Sequence, residues 1–522
     1  MPNTPTAATS SSSTPAKLLR FFIYNPKFGP REGEEEKRIV FYHNSGDDDD
    51  DTETKCKHVG FAEAAANFAR VFSGTSRFIR CVETTKTRTA MLQPEEDFGL
   101  VMTVALPAKR TKKTKTATAT EYASEDVHDA ALRASLEHAY AMFAFFVGRF
   151  GEVLALSDGD LDLFRDRVSA FFSKFVLSSS LYRSAHGGAE DLFREVQFLT
   201  LDSGDFLRVA AFVNRIKDEF PAVSAAVFFQ QGNVVWTDLQ QEDTRLLYHY
   251  VATNLLPSTV GGGQGQSYVA AEGGRFQGHQ GRFITGGPTK LNEEERDWKT
   301  PRVNIDWEDE DSGETVKKQH HLIAYHAVSS TVCLMVPASL DPPLSFYRGL
   351  DAFAGPALTN MSADLLGVFG SGVKSSSSVS SNLSALLSPS DPTAPPLPSS
   401  NVRYIYFNKF NRSMKSTLIQ PLLPHETEGD VDPVVSGPVM RMVLDLAQCL
   451  EGGDNGKASS SSPGEVFVKM SADDRWVLGR RAEHRLVLAV VMGDRCATLM
   501  DASEEMEKLV ANEFKNVFLD ET

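Results

Sequence analysis

The chain has 522 residues, too many for one compact core, and its 41% hydrophobic and 23% charged content is that of ordinary globular domains. With 53 basic against 69 acidic residues the net charge is −16, which argues against a nucleic-acid binder built on phosphate contacts. No apolar run nears the roughly eighteen residues that span a bilayer, and five scattered cysteines without a C-x-x-C pair fit reduced thiols in the cytoplasm.

In chain order, residues 1–16 lack the basic and apolar regions of a secretory signal and read as a disordered tail. A strand is predicted over 18–24, a turn at Gly29-Pro30, and a second strand over 38–42. Asp47 to Asp51 follow as a solvated loop, since five successive like charges repel and lack the alternation of a calcium loop. A helix over 59–72 carries Phe61, Ala65, Phe68 and Phe72 at helical spacing. Strands are predicted near 77–82, 87–92 and 98–106, and the polar, basic, Thr-rich residues 107–125 read as a linker. Next comes a long helix with Leu132, Leu136, Tyr140, Phe143, Val147 and Phe150 on one face, which predicts core packing. A further helix has Leu161, Phe164, Val168, Phe171, Phe172 and Phe175 on its apolar side.

The middle of the chain repeats this plan. A helix over 205–219 leads to a hairpin (222–229 and 234–236), a helix over 241–255, a Gly-rich loop, strands near 282–285, 321–328 and 331–336, and a helix over 344–367. Residues 370–400 are Ser- and Pro-rich and predict a linker. Beyond it, strands at 403–407 and 416–419, a helix at 438–450, strands at 465–470, 475–480, 486–492 and 495–499, and a helix at 502–518 repeat the plan again. The expected fold class is α+β, with three longin-type domains (17–182, 195–369, 401–522), each a five-stranded, mainly antiparallel sheet with helices on both faces.

Two motif candidates fail on chemistry. Gly367 to Ser375 has Val373 between its last Gly and Lys374, so it lacks the phosphate-loop geometry. His320, His321 and His326 alternate faces on a strand, and no carboxylate or cysteine at ligand spacing joins them. With no G-x-S-x-G or H-E-x-x-H pattern either, no covalent chemistry, metal or cofactor is expected.

One resemblance is specific. Phe21-Phe22-Ile23-Tyr24-Asn25-Pro26-Lys27-Phe28-Gly29-Pro30-Arg31-Glu32-Gly33, then Val40-Phe41-Tyr42-His43 and Gln93-Pro94-Glu95-Glu96-Asp97-Phe98, resemble the Ccz family. So do Val234-Val235-Trp236, residues 241–248 and 281–286, Tyr406-Phe407-Asn408, Trp476-Val477-Leu478-Gly479 and residues 513–518. The resemblance implies a heterodimer with a Mon-type longin subunit that exchanges guanine nucleotide on a late-endosomal or vacuolar Rab GTPase, with peripheral recruitment to anionic endosomal membrane. On that basis Asn25, Pro26, Lys27, Gly29, Pro30, Arg31, Tyr42 and Phe61 are candidates for the GTPase or partner interface, and Lys109, Arg110, Lys112, Lys113 and Lys115 for a membrane patch. Open alternatives are a related three-longin scaffold and an adaptor that binds a GTPase without exchange.

Overall fold

A computed structural model describes residues 13–14, 16–45, 51–73, 81–112, 118–124, 127–178, 195–256, 279–288, 298–308, 315–372, 402–418, 437–451, 464–471, 475–492 and 498–514. The chain divides into two compact units, the first holding the N-terminal sheet and the second the other two large sheets.

The N-terminal sheet comprises β1 (Lys17–Tyr24), β2 (Ile39–Asn44), β3 (Cys81–Glu83), β4 (Thr87–Glu95) and β5 (Phe98–Ala105) in the antiparallel order β2-β1-β5-β4-β3. Alternation along β1 sends Phe22 and Tyr24 to one face, where Val59, Ala62 and Ala66 of α1 (Thr52–Ser73) cover the sheet. Phe21 takes the other face and meets Phe41 and Phe172. That second face is closed by α2 (Asp129–Phe146), α3 (Phe150–Ala155) and α4 (Leu161–Ser178), whose Phe143, Phe150, Phe164 and Phe172 are fully buried and stack on one another. The aromatic stripe predicted on the long helix is thus core at Phe143 and Phe150. It lies on two helices, because the chain breaks at Gly148, whose φ of 125° suits a residue without Cβ.

Helix α1 starts seven residues before the predicted position. Asp51, last of the acidic run, caps it by accepting from Thr54 N at 2.9 Å. That hydrogen bonding lowers the carboxyl pKa of Asp51. Asp47 to Asp50 lie outside the described residues.

The expected linker 107–125 is corrected. Ala108–Lys112 (β6) and Thr118–Tyr122 (β7) form an antiparallel hairpin, and Ser13–Thr14 of the expected tail pairs with β6. Composition misled here because alternating Thr is a strand former once its backbone has a partner.

The second sheet carries β9 (Ala225–Gln230), β10 (Asn233–Thr237), β11 (Arg282–Thr285), β12 (Arg302–Glu308), β13 (Thr315–Ala327) and β14 (Ser330–Pro337), preceded in the chain by β8 (Val196–Gln197). Its order is β10-β9-β14-β13-β11, with β12 also on β13. The reading above missed β12, although Val303, Ile305 and Trp307 alternate along it. It also began β13 at 321 rather than 315, because the polar stretch before His321 is exposed up to Gln319 and pairs with β12. Helices α5 (Ser203–Glu219) and α7 (Leu344–Gly372) pack one face, while α6 (Gln241–Tyr250) follows β10. Gly367 to Gly372 belong to α7 rather than to a loop.

The third sheet has β15 (Val402–Asn408), β16 (Ser413–Ser416), β17 (Glu465–Met470), β18 (Arg475–Ala482) and β19 (Arg485–Val491) in the order β16-β15-β19-β18-β17. Helix α8 (Gly437–Glu451) sets Leu446 and Leu450 over Gly479, where a Cβ would lie 2.5 Å from Leu450. Helix α9 (Leu499–Glu513) closes the opposite core with Met506, Leu509 and Val510. Thr498 caps α9 and Leu499 begins it, while residues 495–497 of the strand expected at 495–499 lie outside the described residues. The first and third sheets therefore place their strands 2-1-5-4-3, and the second does so when β11 and β12, which share β13, count as one position.

Within the second unit the two sheets join. Val196 and Gln197 pair in parallel with Ser413 and Met414, Phe198 bridges Val234, and Leu199 N donates to Val234 O at 2.8 Å. The strand-two edges of the second and third domains, β10 and β16, are thereby stitched through β8. Beside the seam, burial pushes the Glu195 carboxyl up to about 7 against the opposing pull of Arg412 and Arg245.

Two predictions follow from these arrangements. Glu95 accepts from Tyr140 Oη at 2.7 Å, Phe150 N at 2.6 Å and Gly151 N at 2.9 Å, so it holds the start of α3. Glu95→Ala should cost the first domain about 2–3 kcal/mol in urea unfolding. For Glu195, the folded state holds the proton more tightly than the unfolded chain, so its contribution to stability rises as pH falls from above 7 towards 4.5. Asp243, raised to about 6 chiefly by burial, acts in the same sense, while His326, lowered to about 4 chiefly by burial, opposes it below 6.5. The difference in stability between the parent chain and Glu195→Gln should therefore change by about 1–3 kcal/mol between pH 8 and 5, favouring the parent at acid pH.

Candidate protein-interaction site

The loop from Asn25 to Arg38 is held by the chain's own groups. Asn25 is 3% exposed, and its side chain accepts from Lys27 N at 2.9 Å to cap a single turn over Pro26–Phe28. Phe28 inserts edge-on between Phe98 and Phe164. Gly29 is buried, and a Cβ there would lie 2.2 Å from Glu34 O, while its carbonyl accepts from Arg38 Nε at 2.7 Å. Asn25 and Gly29, named above as interface candidates, are buried and shape the loop from within. Pro26 is half-buried, Lys27 pairs with Asp97 at 2.5 Å, and Pro30 and Arg31 are exposed on the loop.

From this loop Arg38 reaches α1, with NH1 2.9 Å from Glu63 Oε2. Burial raises the Glu63 carboxyl pKa, and Arg38 opposes the shift. Further along β2, Tyr42 stacks between Phe22 and His58. Arg20 NH1 lies 2.8 Å from His58 Nε2 and can only donate, so that nitrogen is the acceptor and the proton sits on Nδ1, which donates to Tyr42 Oη at 2.6 Å. A hydrogen-bonded Arg20-His58-Tyr42 chain therefore fixes α1 against β1 and β2.

The outer face of α1 reverses the expected polarity. Small Val59, Ala62 and Ala66 face the sheet, because Phe22, Tyr24 and Met91 already fill that layer. The large residues point outward: Phe61 is 52%, Phe68 61% and Val71 78% exposed, and Gly60 and Ala64 continue the stripe. A surface helix normally presents charge here. Beside the stripe runs β2, the outermost strand at that side of its sheet among the described residues.

The equivalent helices differ. In α6, Thr244, Leu246, Leu247 and Tyr248 are buried, and in α8, Val439, Met440, Val443, Leu444, Leu446 and Ala447, which covers far more than one stripe in each. Helical spacing had grouped Phe61 and Phe68 on one face, and the volume beneath the helix sets which way that face points.

Lys109, Arg110 and Lys112 lie on β6, and Lys113 and Lys115 lie outside the described residues. Among the described residues no group of three His, Cys, Asp or Glu side chains could hold a metal ion, and no helix is long and apolar enough to cross a membrane.

Sheet order and helix placement define a longin-domain protein. A family model of the first longin domain of INTU, CCZ1 and HPS4 matches residues 18–148, and one of Intu longin-like domain 2 matches residues 223–355. Over 505 residues the chain is 32% identical to a vacuolar fusion protein CCZ1 homolog of Xenopus laevis, covering 96% of this chain and 97% of that one. A homolog of the same name from Nematostella vectensis is 31% identical over 513 residues, covering 98% and 99%. The chain belongs to the CCZ1 vacuolar fusion protein family.

If the outer face of α1 is a docking surface rather than core, Phe61→Ser should change urea stability by less than about 0.5 kcal/mol. Ala62→Asp, which buries a charge against Phe22, should unfold the first domain.

Proposed function

We propose that this chain is the longin subunit of a heterodimeric guanine-nucleotide exchange factor that activates a late-endosomal or vacuolar Rab GTPase ahead of membrane fusion. The single observation behind it is the uncovered corner of the first domain, an apolar helix face beside a strand-two edge. The other two domains join their strand-two edges within the chain. A second longin domain, from a Mon-type subunit, would cover the first in like manner. The relatives carry the name vacuolar fusion protein, and the proposal brings that role in vesicle-mediated transport to this chain.

The chemistry required is non-covalent. A GTPase holding nucleotide at nanomolar affinity presents about 12 kcal/mol to overcome. The factor must favour the emptied state by a comparable margin, since equal affinity for both states shifts nothing. A paired platform of roughly 1,600 Å² with good anchors meets that demand. Phe61 and Phe68 would add about 1 kcal/mol each on becoming buried in the pair. Lys27, Pro30 and Arg31, together with Tyr42, border that platform on our reading, and peripheral contact with anionic membrane through Lys109, Arg110 and Lys112 would hold it near the GTPase.

The test is release of fluorescent GDP from a panel of endosomal Rabs by the reconstituted heterodimer. One Rab should be accelerated about 100-fold, and Phe61→Asp with Phe68→Asp should abolish both heterodimer and acceleration. Unchanged release for every Rab overturns the proposal. Tighter binding of the loaded than of the emptied Rab makes the chain an adaptor instead.

A further inference from the structure

The seam between the second and third domains is narrow for what it joins, and one residue serves it twice. Arg412 sits in the turn between β15 and β16 with φ of 51°, a left-handed conformation that a non-glycine residue adopts at a cost. Its carbonyl accepts from Val196 N at 3.0 Å. Its guanidinium lies 3.3 Å from Glu195 on the incoming strand and 3.2 Å from Glu242 on α6 of the second domain. Arg245 pairs with the same Glu242, and Gln241 Nε2 donates to Phe410 O at 2.7 Å. These contacts flank a strand of two residues, β8, with one bridge at Phe198 beyond it.

We propose that residues 195–199 and Arg412 form a releasable clasp that holds the second and third domains in one continuous sheet. Two properties separate it from ordinary packing. The pairing is short, so few backbone hydrogen bonds resist opening. Its anchor is ionic and partly solvated, so a charge-changing event or a competing acidic segment can loosen it while the apolar cores of both domains stay intact. When it opens, the third sheet keeps its own α9 core.

Native-state hydrogen exchange on the full chain tests this, reading the Val196 and Leu199 amides, which donate to Arg412 O and Val234 O. Arg412→Gly keeps the left-handed turn and removes the guanidinium. Both amides should then exchange about tenfold faster or more, while core amides of β14 and β19 keep their parental rates. Glu242→Gln should reproduce the effect. Parental rates in Arg412→Gly overturn the clasp. Acceleration in Arg412→Ala alone assigns the effect to backbone strain and overturns it too, as does acceleration of all core amides together, which makes Arg412 a general stabiliser.

Discussion

A sheet ordered 2-1-5-4-3 leaves its second strand at an edge and sets the next helix on the face beside that edge. The backbone of an edge strand and the outer side of that helix must be covered, solvated or guarded by charge. In the second and third domains the requirement is met within the chain. The edges β10 and β16 meet through β8, and α6 and α8 are buried around much of their circumference. In the first domain Phe61, Phe68 and Val71 are each more than half exposed beside β2. Apolar residues grouped on an exposed helix face beside an edge strand mark a surface suited to a partner.

The same constraint explains why the family-like motifs around Asn25 and Glu95 are so particular, with Asn25, Phe28 and Glu95 bonding or packing within the domain. Asn25, Phe28 and Gly29 shape the crossing from β1 to β2, and Arg38 carries that shape to α1 through Glu63. Glu95 and Asp97 form the turn between β4 and β5. Asp97 takes up φ of 68° and pairs with Lys27, while Glu95 seats α3. These residues set the position of α1 and β2 relative to the aromatic core. The recognisable sequence is the frame of the candidate site, and the face itself is made of commonplace Phe, Ala, Gly and Val.

That division governs what could be read from the sequence. Periodicity located nearly every strand and helix, and the repeated order of elements gave three sheets. It failed where polarity and periodicity disagree: at β12, whose alternating residues follow an acidic stretch, and at β6 and β7, where Thr and Lys suggested a linker. It also failed at α1, where Phe61 and Phe68 define a face as well as Val59, Ala62 and Ala66 do. Only the volume already occupied by Phe22, Tyr24 and Met91 decides which set turns inward. The contacts of Arg412 with Glu195 and Glu242 were illegible for a different reason, since they join residues 217 and 170 positions apart and no local pattern encodes them.

Covering and clasping are also energetically distinct, and the difference bears on how such a chain would work. Burial of an aromatic stripe is non-directional and adds up over area, which suits a permanent pairing of subunits. A short strand held by one bridging guanidinium depends on a few directional contacts, each worth little once water can reach it. The first domain therefore has the makings of a fixed platform, and the seam between the other two has those of a joint. Two kinds of contact with such different stiffness are best kept in separate places. This chain keeps them on separate sheets.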